Sequence, residues 1–246
     1  KSILLNELVI YKALKGNPYL CYKIEVLLSN AQSYRYYVSA INGSIIKKLP
    51  LERNYTSAIG TAYLVNWGTQ SISTSYDITS NKYILFDQEA NIQTYNSVDA
   101  VVSNDIIDSN SVENFTDLDN NWTLAEFPED TIYSMNAALV CHWGARKTYD
   151  FFLETFNREG YDGNNKKLNI YVNYDAKYNG GAAFWSYLND GIAIGSGNIE
   201  KHHYGVVDFV AHEFGHAVTD YIVEQLDYEG ESGAIDEGIS DIWAAC

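Results

Sequence analysis

Two histidines, His212 and His216, stand four residues apart in the stretch VVDFVAHEFGHAVTDY, with Glu213 directly after the first. Residues i and i+4 of a helix share one face, one turn apart, so both imidazoles can offer a nitrogen to a single ion. Glu213 lies beside that face. It is placed to reach a water on the same ion and poorly placed to be a ligand itself. This is the mechanical content of the HExxH pattern, and zinc is the expected metal because imidazole ligands suit it and a catalytic site keeps one position open for water. Two histidines on one helix also arise by chance, so the pattern needs a third ligand. The segment ESGAIDEGISDIW supplies Glu237 and, four residues on, Asp241. Glu237 can complete a His₂Glu set, while Asp241 on the same face can accept the free ring N–H of one histidine and fix its tautomer. Carboxylates at i and i+4 destabilise an isolated helix by a few tenths of a kcal/mol, so a nearby cation makes better sense of the pair.

These residues need rigid elements around them, and the remaining sequence supplies candidates. The 246 residues suffice for one large domain or two ordinary ones. Hydrophobic residues make up 46% and charged residues 20%, the balance of a soluble globular chain. The 32 acidic against 16 basic side chains give a net charge of −16 and a pI near 4.5. That charge repels a phosphate backbone and argues against nucleic-acid binding. It suits a secreted protein or one that binds cations through carboxylates. No apolar run approaches membrane-spanning length, so no membrane partner is expected. Cys21, Cys141 and Cys246 lie far apart without zinc-type pairing and read as three small buried thiols.

Along the chain, ELVIY, YLCYKIEVLL and YRYYVSA read as strands, and Asn42-Gly43 predicts a two-residue hairpin into SIIKK. KLPLERNYTS, with Pro50, reads as a linker, placing a boundary at about residues 50–58. Short strands are expected from Thr61 to Ser97, and residues 99–130 read as a long irregular loop. Apolar residues at three- and four-residue steps predict a helix over 131–160, closed by Gly160. LNIYVNY is a predicted strand, and YNGGAAFWSYLNDGIAIGSG a loop with one edge strand. Helices are expected from near Val206 and from near Ser232. His142, His202 and His203 read as surface or helix residues without a role at the site.

HEFGHAVTDY followed by ESGAIDEGISDIW resembles the thermolysin-like zinc metallopeptidases, the neutral proteases. Upstream, TYDFFLETFNREGYDGNN resembles that family's helix and following turn, AAFW its substrate strand, and VVDFVAHE its approach to the metal. The first fifty residues resemble the end of a PepSY-type propeptide. The resemblance implies an α+β fold: a propeptide remnant over 1–52, an antiparallel-sheet-rich lobe with one long helix over 53–205, and metal-binding helices over 206–246 that begin a truncated helical domain. It implies zinc on His212, His216 and Glu237, with Glu213 as general base, Asp241 orienting His212 and Tyr228 donating to the developing oxyanion. Asp236 stands where the family has Asn and would accept a hydrogen bond from His216.

By the same resemblance Asp117, Asp119 and Asn121 match a calcium loop, and Asp208 matches one carboxylate of a calcium pair whose partners would lie beyond Cys246. An ordinary polar turn explains the former equally well. Two departures weaken the transfer. GGAA between Asn179 and Phe184 is about two residues longer than in the family, so Ala183 is left to offer only its backbone to substrate, and Phe209 replaces a smaller aliphatic near the specificity pocket. The function implied is a secreted, monomeric endopeptidase acting on proteins or peptides and matured by a cut between Lys48 and Ser57. The family's second oxyanion donor, a histidine, and an arginine would lie beyond this chain, so the chain alone is expected to bind zinc weakly and cleave casein poorly. The rival reading is a non-catalytic module: a structural zinc site, or an inhibitor or folding aid for a separate protease. An aminopeptidase sharing HExxH is disfavoured by the SGAIDE context.

Overall fold

The computed structural model describes residues 2–11, 18–27, 33–51, 55–64, 66–98, 100, 102–103, 106–108, 111–123, 135–174, 183–195, 206–223, 226 and 229–246. They form two compact units, Lys1–Thr56 and Ser57–Cys246.

The first unit is a four-stranded antiparallel meander of β1 (Ser2–Tyr11), β2 (Tyr19–Leu27), β3 (Ser33–Ser39) and β4 (Ile45–Leu51), in that spatial order. The turn between β3 and β4 is longer than the two-residue hairpin expected from Asn42-Gly43. Ser39 N–H donates to Ser44 O at 2.8 Å and Gly43 N–H to Ser39 O at 2.9 Å, so residues 40–43 form the loop. Gly43 takes φ 72°, and Asn42 Oδ1 accepts the Ser44 amide at 3.0 Å; Asn-Gly chemistry makes the turn, with a wider register than its length suggested. The segment expected to be a linker is largely strand. β4 runs through Pro50 to Leu51, and the next strand begins at Tyr55. An edge position explains this, because a proline there forfeits no ladder hydrogen bond on its open side.

Among the described residues, the second unit carries two larger sheets and one two-stranded ladder. β5 (Tyr55–Leu64), β6 (Gly68–Asp77), β7 (Lys82–Ile84), β13 (Thr116–Asp117) and β14 (Asn121–Trp122) form a five-stranded sheet in the order β13-β7-β6-β5-β14. Alternation is plain in β5, where Gly60, Ala62 and Leu64 turn inward while Thr61 and Tyr63 face out. β8 (Phe86–Asp87), β9 (Ile92–Asn96), β12 (Glu113–Asn114), β15 (Leu168–Tyr174), β16 (Ala183–Ser186) and β17 (Gly191–Gly195) form a six-stranded sheet in the order β12-β9-β15-β17-β16, with β8 also on β9. β10 (Val102–Ser103) and β11 (Ile106–Ile107) make a separate small ladder. The stretch 99–123 is therefore not structureless, since five two-residue strands lie in it, too short to show any period.

The centre of the larger sheet is parallel: β9 pairs β15, and β15 pairs β17. Parallel neighbours need crossover connections, and helix α1 (Met135–Phe156) lies within the crossover from β9 to β15. β15 and β17 are buried almost throughout, which explains their near-continuous apolar sequence. The α+β expectation holds, with a larger sheet that is parallel at its core and antiparallel at its edges.

α1 is enclosed over residues 136–142 and packs its Tyr149 and Phe152 into one core with Trp122, Ile170 and Phe214. It stops at Phe156, short of Gly160. Asn157 takes the left-handed conformation at φ 53°, and Gly160 at φ 71° serves the turn beyond. His142 is 1% exposed. Its Nδ1 lies 2.9 Å from Thr94 Oγ1 and its Nε2 donates to Ser73 O at 2.8 Å, tying α1 to β6 and β9, and burial pushes its pKa down so that the ring is held neutral. His202 and His203 lie outside the described residues. Cys21 and Cys141 are buried free thiols, whereas Cys246 is exposed.

Candidate active site

Helix α2 (Val207–Val223) carries the two histidines, and α3 (Gly230–Ala245) carries Glu237. α2 buries Val210, Phe214, Ala217 and Val218 against the core. Phe214 stacks on Phe152 at 5.3 Å, and Trp243 of α3 meets Phe152 at 5.2 Å and Phe156 at 5.6 Å. This aromatic cluster joins all three helices, so the metal-bearing face of α2 is anchored from behind.

Gly215 sets the separation of α2 and α3. A Cβ there would lie 2.9 Å from Ser240 Cα and 3.1 Å from Trp243 Cδ1, distances that only the absence of a side chain permits. Sequence reasoning passed over this residue, although an unexplained glycine inside a helical pattern is itself a signal of close packing.

That close approach brings the donors together. His212 Nδ1 lies 2.9 Å from Asp241 Oδ1, and His216 Nδ1 lies 2.9 Å from Asp236 Oδ2. Each carboxylate fixes its ring with the proton on Nδ1, leaving the two Nε2 lone pairs free. Those Nε2 atoms face each other at 3.0 Å, and Glu237 brings Oε2 to 3.2 Å from His212 Nε2 and Oε1 to 3.7 Å from His216 Nε2. These four acceptor atoms, two imidazole nitrogens and two carboxylate oxygens, repel one another without a cation among them. Of the described residues, His212, His216 and Glu237 are the group of His, Cys, Asp or Glu whose ligand atoms all lie within 4.8 Å of one another. Two imidazoles and one carboxylate, each imidazole backed by a carboxylate, form a donor set that fits zinc.

Glu213 is 5% exposed. Burial first, then the Glu237 and Asp236 carboxylates, push its pKa up to about 8, opposed by a hydrogen bond from the Trp185 backbone N–H. A divalent cation on Glu237 acts against the carboxylate repulsion. Glu213 thus stands beside the ligand face and touches the edge strand β16.

Other expected residues fall elsewhere. Ala183 begins β16, at the open edge of the sheet. Asp208 and Phe209 sit exposed in the first turn of α2. In the 117–121 loop, Asp117 Oδ2 accepts the Asp119 and Asn121 amides at 3.2 and 3.1 Å, Asp119 Oδ1 accepts the Asn121 amide at 3.0 Å, and Asn121 Oδ1 accepts the Thr61 hydroxyl at 2.7 Å. Tyr228 and residues 180–182 of the lengthened GGAA stretch lie outside the described residues.

Residues 59–220 match the family described as thermolysin metallopeptidase, catalytic domain. The chain belongs to that family. Bacillolysin of Brevibacillus brevis is 31% identical over 235 residues, covering 94% of this chain and 40% of the relative. Neutral protease B of Bacillus subtilis is 30% identical over 247 residues, covering 98% and 42%. A solved structure, the precursor of protealysin, a metalloproteinase from Serratia proteamaculans, shares 29% identity over 44% of this chain and 33% of that chain, with a TM-score of 0.40. The chain spans about two-fifths of the length of the curated relatives it matches.

Proposed function

We propose that the protein to which these residues belong is a zinc-dependent endopeptidase that hydrolyses peptide bonds in proteins. The observation that carries the proposal is the convergence of two Nε2 lone pairs at 3.0 Å with the Glu237 carboxylate, next to a buried Glu213 that is not itself one of the three ligands. His212, His216 and Glu237 would hold the zinc, with Asp241 and Asp236 keeping the imidazoles oriented. When bound, the metal supplies Lewis-acid activation of water and of a peptide carbonyl.

The remaining chemistry belongs to the chain. The Glu213 carboxylate accepts the proton of the attacking water and returns it to the leaving nitrogen, a role worth roughly 10²–10⁴-fold in rate. In an antiparallel ladder, residues i and i+2 point their backbone groups to the same side. The Trp185 N–H turns away from β17 toward Glu213, so Ala183 presents its backbone to the same open edge. An extended peptide can pair there as an added strand. Tyr228 is proposed as a donor to the developing oxyanion, a contribution of roughly 3–4 kcal/mol.

The first unit is proposed to be a propeptide remnant. The family match begins at residue 59, just after the division between Thr56 and Ser57. A calcium ion would suit the oxygen-rich 117–121 loop, whereas at Asp208, whose matching carboxylates are not in this sequence, calcium would be weak or absent. A secreted monomer accords with the net charge of −16, and no described helix is long and apolar enough to cross a membrane.

Hydrolysis of an internally quenched peptide by the complete gene product tests the reading. Activity should vanish after treatment with a zinc chelator and return on adding zinc back. Hydrolysis that survives full metal removal, or its absence from the zinc-loaded complete protein, contradicts it.

A further inference from the structure

Trp185 of β16 is held from α2 at two points. Its indole Nε1–H donates to Asp220 Oδ2 at 2.6 Å, and its backbone N–H donates to the Glu213 carboxylate. Glu213 and Asp220 are seven residues apart, two turns of helix, and so lie on one face. The next residue, Tyr221, donates its hydroxyl to Asp190 Oδ1 at 3.0 Å, and Lys166 Nζ meets the same oxygen at 2.6 Å. Asp190 closes the turn that follows β16, in a left-handed conformation at φ 47°. One side of α2 therefore grips the 185–190 segment at both ends.

Among the described residues β16 is an edge strand, and its neighbour in the sheet is β17. Nothing in the β16–β17 ladder fixes how far the open edge stands from α2. The Trp185 tethers supply that constraint: a short bond from indole to carboxylate is charge-assisted and directional, and Tyr161, packed at 5.1 Å from both Trp185 and Tyr221, fills the space between them.

We infer that Asp220 is a positioning residue for the reaction: by fixing the Trp185 indole it sets the distance between the open edge of β16 and the Glu213 carboxylate, and hence where an extended peptide lies relative to the base. The inference rests on the endopeptidase reading and adds a determinant of productive geometry remote from the zinc ligands. A displacement of the order of 1 Å at such a point costs as much as 10²-fold in rate.

The test compares Asp220→Ala, Asp220→Asn and Trp185→Phe. In the complete protein, Asp220→Ala and Trp185→Phe should each lower kcat/KM about tenfold, chiefly through kcat, with zinc affinity unchanged. Asp220→Asn keeps an acceptor oxygen and should recover most of the loss. In the 246-residue chain, hydrogen exchange of the Trp185 backbone amide should accelerate about tenfold in Asp220→Ala, as its bond to Glu213 loosens. Unchanged kcat together with unchanged amide protection overturns the inference. So does a loss of zinc affinity and thermal stability in step with activity, which would mark a purely structural role. If the complete protein cleaves no peptide, the endopeptidase reading fails, and the amide exchange still decides whether the tether exists.

Discussion

Glu213→Gln in the complete protein is expected to retain zinc at full stoichiometry and to lose at least about a thousandfold in kcat, the upper part of the range for removal of a general base. The expectation follows from geometry. Glu213 is buried beside the ligand face, yet it is not part of the convergent set of His212, His216 and Glu237. Gln is nearly isosteric and can still accept the Trp185 amide through its carbonyl oxygen, so β16 should stay in place. What the substitution removes is the capacity to take a proton. Measuring kcat and bound zinc on the same preparation separates the two roles. A variant within tenfold of the parent rate would show that another group is the base, and a variant that had lost its zinc would show that Glu213 supports the metal.

The second large effect concerns a residue with no chemistry. Gly215→Ala places a methyl 2.9 Å from Ser240 Cα and 3.0 Å from Ser240 Oγ. Replacing an interior helical glycine ordinarily gains about 0.5–1 kcal/mol. Here overpacking against backbone costs about 1–3 kcal/mol and wins. The helices must part, and His216 and Glu237 lie on opposite sides of that seam. Zinc affinity should therefore fall about tenfold, the lower end of the range for disturbing the groups that orient metal ligands, together with a lower melting temperature. Gly238→Ala is the internal control: a Cβ there meets nothing within 4 Å, so this change should leave zinc affinity alone and stabilise the fold slightly. Equal behaviour of the two variants in calorimetry and zinc titration would refute the packing argument.

What the sequence made legible depended on period and spacing. His212 and His216 at helical spacing, with Glu237 and Asp241 repeating the same step, needed only the geometry of a helix to be grouped, and the structure brings them together. LNIYVNY was readable as a strand because its run of seven residues coincides with β15. Two-residue strands between 102 and 122 show no alternation, so the stretch looked like loop. The helix end at Asn157 was missed because asparagine also tolerates left-handed backbone, and Gly160 offered a stronger but later signal. KLPL concealed the end of β4, since a proline excludes only interior strand positions. His142 looked unremarkable because nothing local reveals that Thr94 and Ser73, 48 and 69 residues away, saturate its ring. Asp220 and Gly215 share that property: each acts on a residue of another element, across contacts that only the folded chain creates.

His212, His216 and Glu237 are expected to bind one zinc. The direct measurement is zinc titration of this chain with X-ray absorption at the zinc edge. It should show one ion per chain, with two imidazole nitrogens and a carboxylate oxygen as protein ligands, and His212→Ala and His216→Ala should each abolish that signature. No bound zinc, or a coordination shell unchanged by either substitution, would contradict the account.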